Sequence, residues 1–171
     1  MNRHLMGPDR ALFVTIIAVS VLVWCVGTPV TAEPDDTLAG LMRDTDLKYK
    51  VIDEYSYLAP FERDNEETLD VFITYNNEKK NFVLIFTTLL DYEDGHEFSP
   101  EVLARAMKIN NDYPVVKLCL DVENGDLDCQ SEVYVRTLDA QSLEMHINFV
   151  ASIADKFTEE LKAMEEGEAV G

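Results

Sequence analysis

The chain has 171 residues, and 33 acidic against 14 basic side chains set its formal net charge at −19. A surface of that sign repels phosphate backbones and anionic lipid, because both are held by clustered Lys and Arg. The expected partners therefore exclude nucleic acid and leave basic proteins or simple solubility as the uses of the charge.

The first element, MNRHLMGPDR, carries Arg3 and Arg10 as its only full positive side-chain charges. An apolar run follows from Ala11 to Val26, broken only by Thr15 and Ser20. Gly27 and Pro29 stop any helix, and Val30-Thr31-Ala32 places small residues where signal peptidase cuts. Residues 1–32 read as a secretory signal peptide cleaved after Ala32. The alternative is an inner-membrane anchor over residues 11–26, but that run has 16 residues where a spanning helix needs about 20. Cys25 follows Trp24, where a lipid-attachment site wants a small residue. Cleavage delivers the chain to the periplasm or the exterior with no membrane segment left. It leaves 139 residues, one domain of ordinary size, and removing Arg3, Arg10 and Asp9 makes the charge −20.

After Pro34 and two acids, Leu38, Leu41 and Met42 have the spacing of a short helix with acids at its positive end. Residues 49–62 and 68–76 read as strands; in the second, Leu69, Val71, Ile73 and Tyr75 alternate with Thr68, Asp70, Phe72 and Thr74. FVLIFTTLL, residues 82–90, is β-branched, aromatic and short, which favours a buried central strand over a helix. DYEDGHEF is a loop. Ser99 then caps a second helix with Pro100 at its first position, and Val102, Leu103, Ala106, Met107 and Ile109 form its apolar side. Asp139 caps a third helix, whose stripe is Leu143, Ile147, Val150, Ala154, Phe157, Leu161 and Met164. EEGEAVG reads as a frayed acidic tail. The order α-β-β-β-α-β-β-α gives an α+β fold, an antiparallel sheet of about five strands flanked by helices.

The stretch VVKLCLDVENGDLDCQSEVYV, residues 115–135, holds most of the candidate chemistry. It is not an EF-hand loop: counted from Asp121, the glycine arrives fifth, where the loop needs it sixth. DYEDGHEF fails in the same way, with Gly95 fifth from Asp91. Asn124-Gly125 instead suits a two-residue hairpin turn. That register sets Val122 opposite Leu127, Leu120 opposite Cys129, Leu118 opposite Ser131 and Val116 opposite Val133. It puts Cys129 on the apolar face and Cys119 on the other, out of disulfide reach. A three-residue loop with a bulge would bring Cys119 directly opposite Cys129, at the cost of mixing apolar and acidic residues on both faces. An exported chain usually oxidises a cysteine pair. Cys119 and Cys129 are therefore the disulfide candidates, with both registers open.

No catalytic, cofactor or metal site is legible. There is no G-x-S-x-G elbow, no H-E-x-x-H helix and no Gly-rich phosphate loop. Beyond the leader the histidines are His96, in a polar loop, and His146, beside the third helix's stripe. They leave one enzymatic alternative, a dispersed His/carboxylate site.

The segment NNDYPVVKLCLDVENGDLDCQSEVYVRTLDAQSLEMHINFVASIADKF resembles the YbjN family of bacterial sensory transduction regulators: an Asn-containing helix end, a strand, an acid-Gly turn, a second strand and a closing helix. NFVLIFTTLL and SPEVLARAMKINN are similar to that family's third strand and second helix, so the likeness spans about Leu38 to Met164. It implies a fold like that of type III secretion chaperones, often dimeric, binding polypeptides without catalysis. The chain departs from those chaperones in carrying an export signal. The expected domains are a signal peptide over 1–32, a YbjN-like domain over 33–164 and a disordered tail over 165–171. The expected function is a non-catalytic protein-binding or regulatory module of the envelope, monomer or homodimer, with an unknown protein partner and no cofactor. The alternatives are the dispersed-site enzyme and an acidic, ion-buffering envelope protein.

Overall fold

A computed structural model of the chain describes residues 37–63, 67–93, 95–121 and 124–167. The expected cleavage point after Ala32 and the alternative anchor at residues 11–26 lie outside the described residues. Among those that are described, no helix is long and apolar enough to cross a membrane.

Helix α1, Leu38–Arg43, starts where the Thr37 hydroxyl accepts from the Gly40 N–H at 3.2 Å, and it buries Leu38, Leu41 and Met42. The stretch expected to be one strand over 49–62 is two. Strand β1, Lys50–Val51, folds back on β2, Ser56–Glu62, with Lys50 opposite Leu58 and Val51 opposite Tyr57. Polar contacts close this turn: Ile52 N–H donates to the Ser56 carbonyl at 2.9 Å and Tyr55 N–H to Asp53 Oδ1 at 2.8 Å. Strands β3, Thr68–Tyr75, and β4, Phe82–Asp91, continue the meander. Helix α2, Pro100–Asp112, carries the chain to β5, Lys117–Asp121, and β6, Asp126–Tyr134, inserts between β4 and β5. Helix α3, Ala140–Glu165, closes the domain after one 3₁₀ turn, Val135–Thr137.

The sheet thus has six antiparallel strands, in the order β1-β2-β3-β4-β6-β5. Its core face carries Tyr57, Ala59, Val71, Ile73, Val83, Ile85, Leu127 and Cys129, covered by the buried stripe of α3. Every stripe position expected from the sequence is buried except Met164, which packs at the margin. Ser99 and Asp139 cap α2 and α3 as their sequences require, accepting from Val102 N–H at 3.3 Å and Ser142 N–H at 2.7 Å. Two expectations are corrected. Strand β4 is central but buried on one face only, since Phe82, Leu84 and Phe86 on its other face stay half-exposed. On α2, Val102, Ala106 and Ile109 face the core at i, i+4 and i+7, while Leu103 and Met107 lie about 100° round the helix and Met107 is 73% exposed.

The hairpin register also differs from the expected one. Asp121 pairs with Asp126, Leu120 with Leu127, Leu118 with Cys129 and Lys117 with Gln130, two residues away from a two-residue Asn-Gly loop. Asp121 explains the longer loop: its carbonyl accepts from Gly125 N–H at 2.9 Å and its carboxylate from Asn124 N–H and Nδ2 at 3.3 and 3.1 Å. Its side chain folds the turn one pair earlier than the Asn-Gly pair alone would.

The free edge of β5 is closed by a side chain. Asn110, in the last turn of α2, accepts from Leu118 N–H at 2.6 Å through Oδ1 and donates Nδ2 to the Leu118 carbonyl at 3.1 Å. One amide takes the place of a neighbouring strand, which blocks edge-to-edge pairing there. Asn110→Ala removes both bonds and is expected to cost about 1–3 kcal/mol in urea unfolding. It should also raise concentration-dependent association in light scattering; an unchanged midpoint and no association would show that the amide closes nothing.

Candidate functional site

Three places bring chemistry-bearing residues together. The first is the loop from β4 to α2. Tyr92 and His96 stack at 4.2 Å between ring centroids, and Phe98 meets His96 edge-on at 4.8 Å. Glu165, at the last turn of α3, reaches into the same place: its Oε1 lies 2.7 Å from His96 Nε2 and its Oε2 accepts from Ser99 N–H at 2.9 Å. The sequence reading put Glu165 in solvent as the start of a tail, yet its side chain is only 7% exposed. The hairpin tip also docks here. Gly125 has φ +78°, and a Cβ on it would stand 2.4 Å from the Glu93 carbonyl oxygen and 3.3 Å from His96 Cβ. Only glycine serves there, for backbone and for space. The two acid-rich turns that failed the calcium test are therefore packed on each other. Among the described residues no three His, Cys, Asp or Glu side chains are placed to hold a metal ion.

Glu165 is a clamp between three segments. Burial pushes its carboxyl pKa up, but the Ser99 backbone N–H and the His96 ring outweigh that and hold it below the usual carboxylate value. Its charge also sits at the N-terminus of α2, where the helix dipole favours an anion.

The second place is Ser131 and His146, facing each other from β6 and α3 with Oγ 2.9 Å from Nδ1. A Ser–His pair invites a hydrolase reading, and the hydrogen bonds oppose it. Ser131 Oγ also lies 3.0 Å from the Val115 carbonyl, which can only accept, so the single hydroxyl proton points there. Nδ1 must then carry its own proton and donate to the serine. That is the reverse of a base drawing a proton from a nucleophile. Ser131 is fully buried, and burial lowers the pKa of His146. The pair ties β6 to α3.

The third place is the sheet face that no described helix covers. Phe72 and Phe86 stack across β3 and β4 at 5.4 Å, and Phe82 meets Tyr134 across β4 and β6 at 5.3 Å. Leu84 lies between them on β4, and Leu58 pairs with Phe72 from β2. Phe72 remains 37% exposed. Carboxylates border the row: Asp70 beside Phe72 on β3, Asp128, which accepts from Thr88 Oγ1 at 2.7 Å, and Glu132, bonded to Asn76. Burial raises the pKa of Asp128, the largest influence on it, although the Thr88 bond opposes this.

Cys119 is on this face too. It pairs with Asp128, takes a bond from Gln130 Nε2 at 2.9 Å and is half-buried, whereas Cys129 is fully buried on the core face with Sγ 3.8 Å from the Val150 carbonyl. Both are free thiols. Burial raises both thiol pKa values, that of Cys129 to about 12.

No protein-family model and no curated protein matches the chain. Several solved structures are similar to it. One is the HopA1–SchA chaperone–effector complex, at 16% identity and TM-score 0.48 over 70% of this chain and 88% of that one. Another is the ExsC–ExsE complex, at 12% and 0.46 over 66% and 80%. A third is the heterodimeric ExoU–SpcU complex from the type III secretion system of Pseudomonas aeruginosa, at 12% and 0.49 over 73% and 97%. At these scores the overlap is loose.

Two outcomes follow from the site geometry. In the native protein an alkylating reagent should modify Cys119 slowly and Cys129 only after unfolding, with the same intact mass before and after reduction; a mass lower by two hydrogens without reductant would mean a bonded pair and a different register. Glu165→Gln keeps an acceptor for Ser99 but loses the charge, and should cost about 1–2 kcal/mol at pH 7. Because the folded carboxyl pKa is depressed, the stabilisation is complete above the unfolded value of about 4.3 and disappears as pH falls through the folded one. Urea midpoints of the two proteins should therefore converge in acid, and a gap that persists there would assign the loss to packing.

Proposed function

We propose that the chain is an exported, non-catalytic module that binds another protein across the face of its sheet that no described helix covers. The observation that carries this reading is the aromatic row Phe72–Phe86 and Phe82–Tyr134 on that face. Aromatic side chains supply large contact area at little cost in conformational entropy and are enriched at the centres of interfaces. The flanking Asp70, Asp128 and Glu132 favour a heterologous partner over a second copy, since a face-to-face pair of this chain would bring like charges together. Ser131 and His146 offer no activated nucleophile, which supports the absence of catalysis. The leader-like composition of residues 1–32 supports export to the periplasm or beyond, and the resemblance to the YbjN family supports a regulatory, peptide-binding use of the fold.

A photo-cross-linking residue at position 72, in protein made from the full coding sequence in its native cells, should give one discrete heavier adduct. The same residue at Asp155, on the opposite side of the molecule, should not. In binding assays with the adduct's partner, Phe72→Ser should weaken affinity by roughly tenfold or more while leaving the unfolding midpoint nearly unchanged. Adducts independent of position, or a link from position 72 to residues 1–36 of the same chain, would overturn the proposal. N-terminal sequencing that begins at Glu33 checks the export half separately.

A further inference from the structure

A second apolar surface lies on the opposite side of the molecule, along the first half of α3. Its inner stripe is buried in the core, but Met145 and Phe149, one turn apart on the outer side, are 46% and 41% exposed. They line an open groove of about 730 Å³ whose floor includes the buried Ile153. One wall is the chain leaving α1, where Asp46 N–H donates to Glu144 Oε2 at 3.0 Å. The other wall is Tyr113 at the end of α2, held by Lys156 Nζ at 2.8 Å from its hydroxyl and by edge contact with Phe157 at 5.7 Å. The rim carboxylates are Asp44, Asp46 and Glu144. The nearby cations are already engaged: Arg43 Nε lies 3.4 Å from Asp44 Oδ1, and Lys156 is on Tyr113.

We infer that this groove receives a short helical polypeptide segment with an apolar face flanked by Lys or Arg. The lining residues run from Gln141 to Ile153, a rise of about 18 Å, which matches roughly three turns of a docked helix. Two neighbouring large side chains at i, i+4 spacing suit anchors at i, i+3 or i+4 and i+7 on the partner, and the flexible thioether of Met145 adapts to their shape. The acidic rim selects the sign. It attracts a cationic flank, and a chain of net charge −19 steers such a segment from a distance. A nucleic acid or an anionic lipid surface would meet that rim as a like charge, and a second copy would set Glu144 against Asp44 and Asp46. The inference shares with the proposed function only the premise that the chain binds polypeptides; the face is a different one.

The test uses protein expressed from its full coding sequence and three labelled peptides of about fifteen residues. One is an amphipathic helix of Leu, Phe and Lys, one has the same composition scrambled so that no apolar face forms, and one has every Lys replaced by Glu. Fluorescence anisotropy should show one amphipathic peptide bound per chain, with affinity falling as salt rises from about 50 to 300 mM. Phe149→Ser should weaken binding about tenfold, as should scrambling, and Glu144→Gln several-fold, while Phe72→Ser changes nothing. Equal binding of the scrambled peptide would mean charge alone, and an unaffected Phe149→Ser would place the peptide elsewhere; either overturns the inference. A concentration-dependent dimer in sedimentation that Phe149→Ser converts to monomer would assign the groove to a second copy and overturn it as well. If Phe72→Ser abolishes the cross-linked partner while no peptide binds here, the proposed function stands and this inference falls; the converse result separates them the other way.

Discussion

Helix α3 against one face of the sheet is the contact on which the rest of this domain depends. Leu143, Ile147, Val150, Ala154, Phe157 and Leu161 enter the core over β3, β4 and β6, and each large side chain buried there contributes about 1.5–3 kcal/mol relative to exposure. Because α1 and α2 pack around α3 on the same side, the described helices cover one face of the six-stranded sheet and not the other. Both candidate binding surfaces follow from this asymmetry. The aromatic row lies on the face that α3 does not cover, and the acidic groove runs along the side of α3 that the sheet does not use.

The polar ties of α3 show how so acidic a chain holds its longest helix in place. In its second half, the scarce cations of other elements meet its carboxylates. Arg63, just past β2, sits 2.9 Å from Asp155 and 3.6 Å from Glu159, and Arg105 of α2 forks onto Glu160 at 2.5 and 3.1 Å. The Arg105 bond is what chiefly lowers the carboxyl pKa of Glu160. Asp155 and Glu159 are largely exposed, so the Arg63 pairs fix orientation more than they add stability. Glu165 differs because it is buried. It joins the ends of α2 and α3 to the loop against which the hairpin tip rests, a three-way junction where the charge is needed inside.

What the sequence made legible was whatever depends on neighbours along the chain. The Ser99 and Asp139 caps, the period of α3 and the alternation of β3 are local patterns, and each is found in place. What it hid depends on partners distant in sequence. Residues 49–62 carry no turn residue strong enough to announce the break between β1 and β2, which is made by Asp53 and by pairing across the fold-back. Glu165 looked like tail because EEGE is acidic, and only its distance to His96 reveals otherwise. Asn110 was visible as an Asn at a helix end, but its service to Leu118 needs β5 alongside. Leu103 and Met107 were assigned inward because they are apolar, whereas the narrow contact of α2 with the core leaves them no room.

The hairpin shows why one error of register was harmless and another would not have been. Side chains in a strand alternate faces with period two, so a slip of two residues moves partners along the ladder and leaves every face assignment intact. The Asp121 turn produces such a slip: Cys129 meets Leu118 instead of Leu120, yet remains on the apolar face, and Cys119 remains on the other. The competing register, with Cys119 opposite Cys129, differs by an odd number of residues from the one observed. It would set Leu118 and Leu120 on the same face as Gln130, Asp128 and Asp126, so that either the leucines leave the core or the carboxylates enter it. Burying those carboxylates without partners costs more than an exposed hairpin disulfide can return, so hydrophobic patterning decides the register. The consequence reaches function, because it leaves the Cys119 thiol on the face that no described helix covers, bonded to Gln130 in the strand ladder next to Phe86, within the surface proposed to meet a partner.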